Sequence, residues 1–308
     1  MSGRRPGDLV AVVLTYQGGR QVHACLDALV PQLGPTGIVV VVDNASGDGT
    51  AQAVQSEHPS VTVVHSPSNG GYGSGMNLGL AQAMTHRPDR VLLLTHDTVL
   101  EDGAVDALCA ALDDHDGAAA AGPLLLLDDG RVWSAGGELT GLGRHPRHRG
   151  RGEAAAAWRR APARAVPWLD GAALLLRTSA LASLSDRDRG GPREGLPGPF
   201  REDFFLYWEE VELQARLSAA GWDLLVVPRA AARQHPGMMP PYLASRNRIR
   251  FLTVTGARGP ALCAAAGDCA RAAKASLHRR SRWQARAHLA GLRDGWRGGL
   301  DRELAARR

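Results

Sequence analysis

Three carboxylates, Glu209, Glu210 and Glu212, follow directly on the apolar run Phe204-Phe205-Leu206-Tyr207-Trp208. A carboxylate set against apolar side chains loses solvation, which raises its pKa toward the range of a general base. The same residues also suit the first turn of an ordinary amphipathic helix, where the helix dipole favours acids. Taken alone, that plainer reading is the commoner one. A second set of polar residues stands at the ends of apolar runs: Thr15-Tyr16, Asp43-Asn44 and Thr95-His96-Asp97. Asp43 can accept hydrogen bonds from a base or ribose. Asp97 has the hard oxygen chemistry that suits Mg²⁺ or Mn²⁺, ions that bridge naturally to phosphate oxygens. His235, in Arg233-Gln234-His235-Pro236-Gly237, follows another apolar run and read singly is a structural histidine.

The elements that must position these residues are legible in part. Leu9–Tyr16, Ile38–Asn44 and Val91–Asp97 are continuous aliphatic runs, as expected of parallel strands covered on both faces. Val61–His65 is a further strand, and helical patterns such as Val22–Val30 lie between them. This alternation predicts an α/β fold with a mostly parallel central sheet flanked by helices. The polar residues then share the carboxyl edge of that sheet, where open α/β folds bind ligands. Asp48, in Ser46-Gly47-Asp48-Gly49-Thr50, is a helix cap or a ligand contact. Ser68-Asn69-Gly70-Gly71-Tyr72-Gly73-Ser74-Gly75-Met76-Asn77 is a glycine-rich loop opening a helix, where backbone N–H groups can face phosphate. Its spacing matches neither the dinucleotide fingerprint nor the P-loop.

A second unit begins near Gly122. Leu142–Arg164 and Ser185–Pro199, dense in Gly, Arg and Pro, read as mobile loops. His145 and His148 within the first read as unliganded. The four cysteines, Cys25, Cys109, Cys263 and Cys269, lack metal or redox spacing and read as reduced core thiols. With no secretory leader and no bilayer-spanning run, the chain is expected in the cytoplasm or peripherally at the inner face of the cell membrane.

Read together and in order, the motifs are specific. Val13-Leu14-Thr15-Tyr16, Asp43-Asn44-Ala45-Ser46, Asn69-Gly70-Gly71-Tyr72-Gly73 with Asn77, Leu94-Thr95-His96-Asp97-Thr98, Gly171-Ala172-Ala173, the 204–213 segment, Gly221-Trp222, Pro228 and His235 resemble the GT-A-fold glycosyltransferases of family 2, rhamnosyltransferase-like members above all. The resemblance covers Leu9 to about Leu252. It implies an inverting transfer from a nucleotide diphosphate sugar, dTDP- or UDP-linked, to a hydroxyl of a glycan, a lipid-linked glycan or a secondary metabolite, with a divalent cation, Mg²⁺ or Mn²⁺.

Carried over by position, Thr15, Tyr16, Asp43, Asn44, Asp48, Asn69, Gly71, Asn77, His96 and Asp97 serve the nucleotide sugar. Asp97 and His235 hold the metal, Gly171 and Trp208 stand on the acceptor side, and Glu210 deprotonates the acceptor beside Glu209. The implied organisation is a catalytic domain over 1–255, its nucleotide-sugar half about 1–121 and acceptor half about 122–255, then a basic helical extension over 256–308. Two positions depart from the family pattern: Glu210 stands where an Asp is common, and Thr95 where an earlier acid is common. A nucleotidyltransferase would show a basic glycine-rich loop after the first strand, of which Gln17-Gly18-Gly19-Arg20 is a poor version. A catalytically inactive scaffold would not require the retained acids and histidine.

The net charge of +5 hides an asymmetry: residues 256–308 hold twelve Lys or Arg against four Asp or Glu, about +8, which leaves about −3 for the rest. Leu289, Leu292, Trp296 and Leu300 fall at helical spacing among Arg279, Arg280, Arg282, Arg286, Arg293 and Arg297. Such a helix fits peripheral contact with an anionic membrane, or packing on the catalytic domain or in a homodimer. No recognition motif accompanies the charge, so nucleic acid is not an expected partner.

Overall fold

The computed structural model describes residues 8–34, 37–184, 198–277 and 281–306. In chain order its first half runs β1 (Leu9–Thr15), α1 (Gly19–Leu33), β2 (Ile38–Asp43), α2 (Thr50–Glu57), β3 (Thr62–His65), α3 (Gly71–Met84), β4 (Arg90–Thr95), β5 (Thr98–Leu100), α4 (Ala104–Asp113) and β6 (Ala118–Leu126). Then come β7 (Val132–Ser134), β8 (Gly137–Thr140), β9 (His145–His148), β10 (Arg164–Ala165), β11 (Ala173–Arg177), α5 (Thr178–Ser183), α6 (Glu209–Ala219) and β12 (Asp223–Gln234). Four helices close the chain: α7 (Pro241–Val254), α8 (Arg258–Ser276), α9 (Arg282–Arg297) and α10 (Arg302–Ala306).

The main sheet has the order β10-β12-β6-β11-β4-β1-β2-β3, with β5 on β12 and β7 on β6. The aliphatic runs explain its centre: every residue of β1 is buried, as expected of a strand with helices on both faces. Strands β4, β1, β2 and β3 are parallel, in a register that aligns Thr15 with Asp43 and Leu14 with Thr95. Their polar ends therefore share one edge. Antiparallel β11 joins β4 to β6, and β12 runs parallel to β6.

Two glycines set how closely α3 approaches β1. A Cβ on Gly75 would lie 2.3 Å from Leu14 Cδ1, and one on Gly79 2.3 Å from Val12 Cγ1. The helix thus lies almost on the strand, bringing its amino end beside the carboxyl ends of β1 and β2.

Two expectations are corrected. Residues 142–164 hold the two-stranded β8–β9 hairpin's second strand and β10, not a featureless loop; Glu138 pairs with Arg147 and Thr140 with His145. Arginine and histidine conceal strand periodicity because their long side chains suit an exposed ribbon. Ser185–Pro199 falls almost wholly outside the described residues. Cys25 and Cys109 are buried core thiols as expected, but Cys263 and Cys269 are exposed on α8. Finally, α9 packs through small residues. A Cβ on Gly291 would meet Tyr242 O at 2.5 Å and one on Gly295 would meet Arg246 O at 2.6 Å. Leu292 goes inward, whereas Leu289 and Trp296 face outward alongside Arg282, Arg286, Arg293 and Arg297. Arg279 and Arg280 lie outside the described residues.

Candidate active site

At the carboxyl edge, Asn44 ties two loops together. Its Nδ2 donates to Asn69 Oδ1 (3.1 Å) and Gly71 O (3.0 Å), while its Oδ1 accepts from Gly70 N (3.3 Å). Asn69 Oδ1 also accepts from Gly71 N at 3.0 Å. Gly71 has φ +85°, and a Cβ there would lie 1.7 Å from Phe205 O, so only glycine fits. Tyr72 N then donates to Phe205 O at 2.7 Å, joining the glycine loop to the aromatic segment ahead of the carboxylates.

That segment is bent. Phe205, Tyr207 and Trp208 all have positive φ, which costs energy for L-residues and persists only where the surroundings over-determine it. The surroundings here are α7. Asn247 Nδ2 donates to the carbonyls of Phe204 (3.1 Å), Leu206 (2.7 Å) and Tyr207 (2.9 Å). The buried Arg246 donates to the carbonyls of Asp203 and Phe204, and its Nε donates to Gly299 O at 2.7 Å. The turn delivers Glu209 and Glu210 as the first residues of α6.

Glu209 is fully buried. Its Oε1 accepts from Tyr207 N (3.1 Å) and its Oε2 has no partner among the described residues. Burial first, then the charge of Glu210, pushes its pKa well above the carboxylate range. Glu210, less deeply set, is pushed up to about 7 by burial and by Asp170. Gly171 is the close-packed point between them: a Cβ there would lie 3.0 Å from Tyr72 Oη and 3.3 Å from Glu210 Cβ. Tyr72 Oη donates to Gly171 O at 2.8 Å. Asp170 accepts from Trp133 Nε1 (Oδ2, 3.1 Å) and Ala172 N (Oδ1, 3.0 Å), and Ala172 O accepts from Thr95 N at 3.0 Å. The 170–172 turn therefore spans from Glu210 to the end of β4.

There, Thr95 Oγ1 donates to Asp97 Oδ1 (2.5 Å) and lies 3.0 Å from Thr98 Oγ1. Thr98 pairs with Gln234 at the end of the β5–β12 ladder, so Asp97 and His235 are the next residues beyond it on the two chains. A divalent ion fits this donor set in part. Asp97 and His235 offer one oxygen and one nitrogen ligand type, and the buried Gln234 Oε1 lacks a partner among the described residues. No group of three His, Cys, Asp or Glu among the described residues stands close enough to hold a metal. The protein alone would therefore leave such an ion open to oxygens of a bound diphosphate.

Residues 6–284 match the family described as glycosyltransferase like family 2. The chain is a family 2 glycosyltransferase. It is 31% identical over 248 residues to the N-acetylglucosaminyl-diphospho-decaprenol L-rhamnosyltransferase of Mycobacterium tuberculosis, covering 74% of this chain and 76% of that one. Solved structures show the same GT-A fold at low identity. GalNAc-T7 with UDP, GalNAc and Mn²⁺ aligns at TM-score 0.58 and 12% identity over 80% of this chain, which spans about half (47%) of GalNAc-T7. The mannosyltransferase PcManGT of Pyrobaculum calidifontis with GDP-Man and Mn²⁺ aligns at 0.54 and 19%, over 99% of this chain and 79% of its own. TarS of S. aureus with UDP-GlcNAc aligns at 0.54 and 20%, over 80% and 66%.

In this glycosyltransferase the remaining named residues fall in several places. Thr15, Tyr16, Asp43 and His96 gather where β1, β2 and β4 end. The buried Thr15 Oγ1 has no partner among the described residues, and a Cβ on Gly18 would meet it at 2.3 Å and His96 Cδ2 at 3.2 Å. Tyr16 is 42% exposed, an open aromatic face beside them. Asp43 is buried, accepts from Ser46 N at 3.1 Å, and lies 3.6 Å from His65 Nδ1. Asp48 is engaged at the start of α2, where Thr50 Oγ1 (2.6 Å) and Thr50 N (3.1 Å) donate to it and lower its pKa. Asn77 is turned the other way: it donates to Phe200 O (2.9 Å) and Glu202 Oε1 (3.1 Å) and accepts from Phe200 N (3.0 Å), clamping the chain ahead of the carboxylates. Trp208 is buried against Phe251, its ring 5.1 Å away, and so packs behind the carboxylates. His235 is exposed and its Nδ1 lies 2.8 Å from Asp128 Oδ2.

Sequence reasoning missed Asp170 and Asn247. The first was adjacent to Gly171 and so within reach of a closer reading. The second lies inside an arginine-rich helix and carries no local signal.

Proposed function

We propose that the chain moves a sugar from a dTDP- or UDP-linked donor to a hydroxyl of a glycan, lipid-linked glycan or secondary-metabolite acceptor, with inversion at the anomeric carbon. The observation that carries this reading is Glu210: a carboxylate with pKa about 7, against Gly171 and Asp170, joined through Tyr72 to the glycine loop. A base poised near neutral pH is suited to take a proton from an attacking hydroxyl. Inversion requires that base on the face opposite the leaving diphosphate, as in other inverting sugar chemistry. The mycobacterial relative is named for adding rhamnose to N-acetylglucosaminyl-diphospho-decaprenol, which favours a lipid-linked acceptor.

In this reading residues up to about 121 hold the donor and 122–255 the acceptor. Thr15, Tyr16 and Asp43 receive the nucleoside, with Asn44, Asn69 and Gly71 shaping the loop beside its phosphates and His96 and Asp48 at its edge. Asn77 acts by fixing the 198–202 segment. Glu209 supports Glu210 from behind: burial and the neighbouring Glu210 raise its pKa well above the usual carboxylate range, which disfavours a second charge in the site. Asp97 and His235 are the residues that would hold Mg²⁺ or Mn²⁺; when bound, such an ion offsets the charge growing on the departing diphosphate. The basic extension provides peripheral membrane contact, or a homodimer contact through the same helices.

Glu210→Gln should abolish transfer while nucleotide binding, read by thermal shift with Mn²⁺, stays near wild type. Loss of nucleotide binding in that variant would sink the base assignment. Asp97→Ala should weaken nucleotide binding only when the metal is present; equal weakening in EDTA would remove Asp97 from the ligand set.

A further inference from the structure

The chain's last helix reaches back to the active site along a path fixed by α7. Gly298, with φ +76°, turns the chain out of α9, and Gly299 O then accepts from Arg246 Nε at 2.7 Å. Asp301 N donates to the hydroxyl of the buried Tyr242 at 2.7 Å. Asp301 Oδ1 accepts from Leu304 N at 3.0 Å and so caps α10. Ala305 is buried in one cluster with Tyr242 and Leu243. Arg302, the first residue of α10, therefore starts from a fixed point of the fold although its side chain is exposed.

From there Arg302 touches two segments far away in sequence. Its Nη1 donates to Asn69 O at 2.8 Å, and its guanidinium carbon lies 5.3 Å from the Phe205 ring centroid, within cation–π range. The same two segments meet directly where Tyr72 N donates to Phe205 O and Gly71 packs on that carbonyl. Arg302 is thus a second link across one joint. Phe205 has φ +70°, a conformation that persists only where its surroundings enforce it. Arg246 and Asn247 hold the carbonyls of Asp203, Phe204, Leu206 and Tyr207, on either side of Phe205. Phe205 itself is held by Tyr72 at its carbonyl, and at its ring by Arg302 and the cluster around Tyr242.

We propose that Arg302 is a positioning residue of the transfer: it locks the Asn69–Gly71 loop against the turn that carries Glu210, so that the end of the basic extension completes the donor site. This rests on the reading of that loop as the one beside the donor's phosphates. A loop already held by Arg302 does not have to be ordered by the nucleotide, which lowers the cost of binding. Loosening it costs nucleotide affinity and leaves the stability of the fold in place.

The test uses the full chain. Hydrogen exchange, read by mass spectrometry on peptides spanning 69–72 and 205–208, follows the joint itself. Calorimetric titration with UDP and with dTDP, each with Mn²⁺, follows the donor site. Arg302→Ala should speed exchange in both peptides about fivefold, while peptides from β1 and β4 exchange as in wild type. It should weaken nucleotide binding about fivefold, the loss of one charge-assisted contact, with an unchanged melting temperature. Arg302→Lys, which keeps the charge and a donor, should bring both readings back to within about twofold of wild type. Glu303→Ala, at the neighbouring exposed position, should move neither, which separates the contact from a general weakening of α10. Unchanged exchange in Arg302→Ala, or faster exchange with wild-type nucleotide affinity, overturns the proposal. Binding of neither nucleotide by wild type overturns the donor reading and this role with it. The exchange comparison, which needs no nucleotide, then shows whether the joint itself was misread.

Discussion

Glu210 and Glu209 share one apolar wall yet differ in what they can do. Glu209 is fully buried with one oxygen unpartnered among the described residues, so an acceptor hydroxyl does not reach it and it is no base; burial also raises its pKa well above the usual carboxylate range. Glu210 is only partly buried, and burial together with Asp170 pushes its pKa up to about 7. Transfer should therefore rise with pH, tenfold per unit below about 7 and flat above, in a pH profile of kcat. Stability should move the other way. The folded pKa is raised above the ordinary 4.5, so between about 4.5 and 7 the native state holds a proton that the unfolded chain has released. Stability falls as pH rises through that window. Glu210→Gln should accordingly melt a few degrees higher than wild type at pH 8, on the order of 3 °C, and equally at pH 4. A melting difference independent of pH would show that Glu210 does not titrate as described.

At the scale of elements, the turn that delivers these acids is held by a helix far away in sequence. Asn247 has both amide hydrogens committed to three backbone carbonyls whose residues include the left-handed Phe205 neighbourhood and Tyr207. Asn247→Ala should take that donor from the part-buried carbonyls of Leu206 and Tyr207, while Phe204 O keeps its bonds from Arg246 and Leu206 N, costing roughly 2–3 kcal/mol by the penalty for unsatisfied groups. It should also lower kcat more than tenfold while nucleotide affinity changes little, since the donor loop keeps its Asn44 and Asn69 bonds. Denaturant unfolding and steady-state kinetics check the two parts; a stability loss with unchanged kcat would make Asn247 structural only.

This element also marks where sequence reading stops. The strands β1, β2 and β4 were legible because two-faced burial demands unbroken aliphatic runs, and the polar residues ending them could be placed on one edge from topology alone. The glycine loop was legible because Gly71 leaves room for a carbonyl. Asn247 was not, because a triple carbonyl clamp has no periodicity. Nor was β9, since a strand of His, Pro and Arg looks like a linker until its pairing is seen. The apolar and basic pattern in the extension was legible as a helix, but the face it turns inward was not, because Gly291 and Gly295 decide how closely α9 approaches α7.

For the whole molecule, the packing of α9 decides what the extension presents to its surroundings. The acids of α8 and α9, Asp268 and Asp294, are buried and engaged by Arg248 and Arg271 and by Arg293 and Tyr242. What remains outside on α9 is Arg282, Arg286, Leu289, Arg293, Trp296 and Arg297, at one-face spacing. On α8 the exposed stripe is Leu262, Ala266, Ala270, Ala273 and Leu277, flanked by Arg271 and Lys274. No helix among the described residues is long and apolar enough to cross a membrane. The chain should co-sediment with vesicles containing anionic phosphatidylglycerol and not with pure phosphatidylcholine, and 0.5 M salt should release it, since at roughly that ionic strength charges a few ångströms apart are already screened. Arg282→Glu with Arg286→Glu, which touches no buried acid, should lose most of this binding while melting normally. A chain that ignores anionic vesicles but doubles its mass with rising concentration would assign the same face to a second copy, because two such surfaces can meet only if their leucine stripes interlock and their arginines stay at the rim.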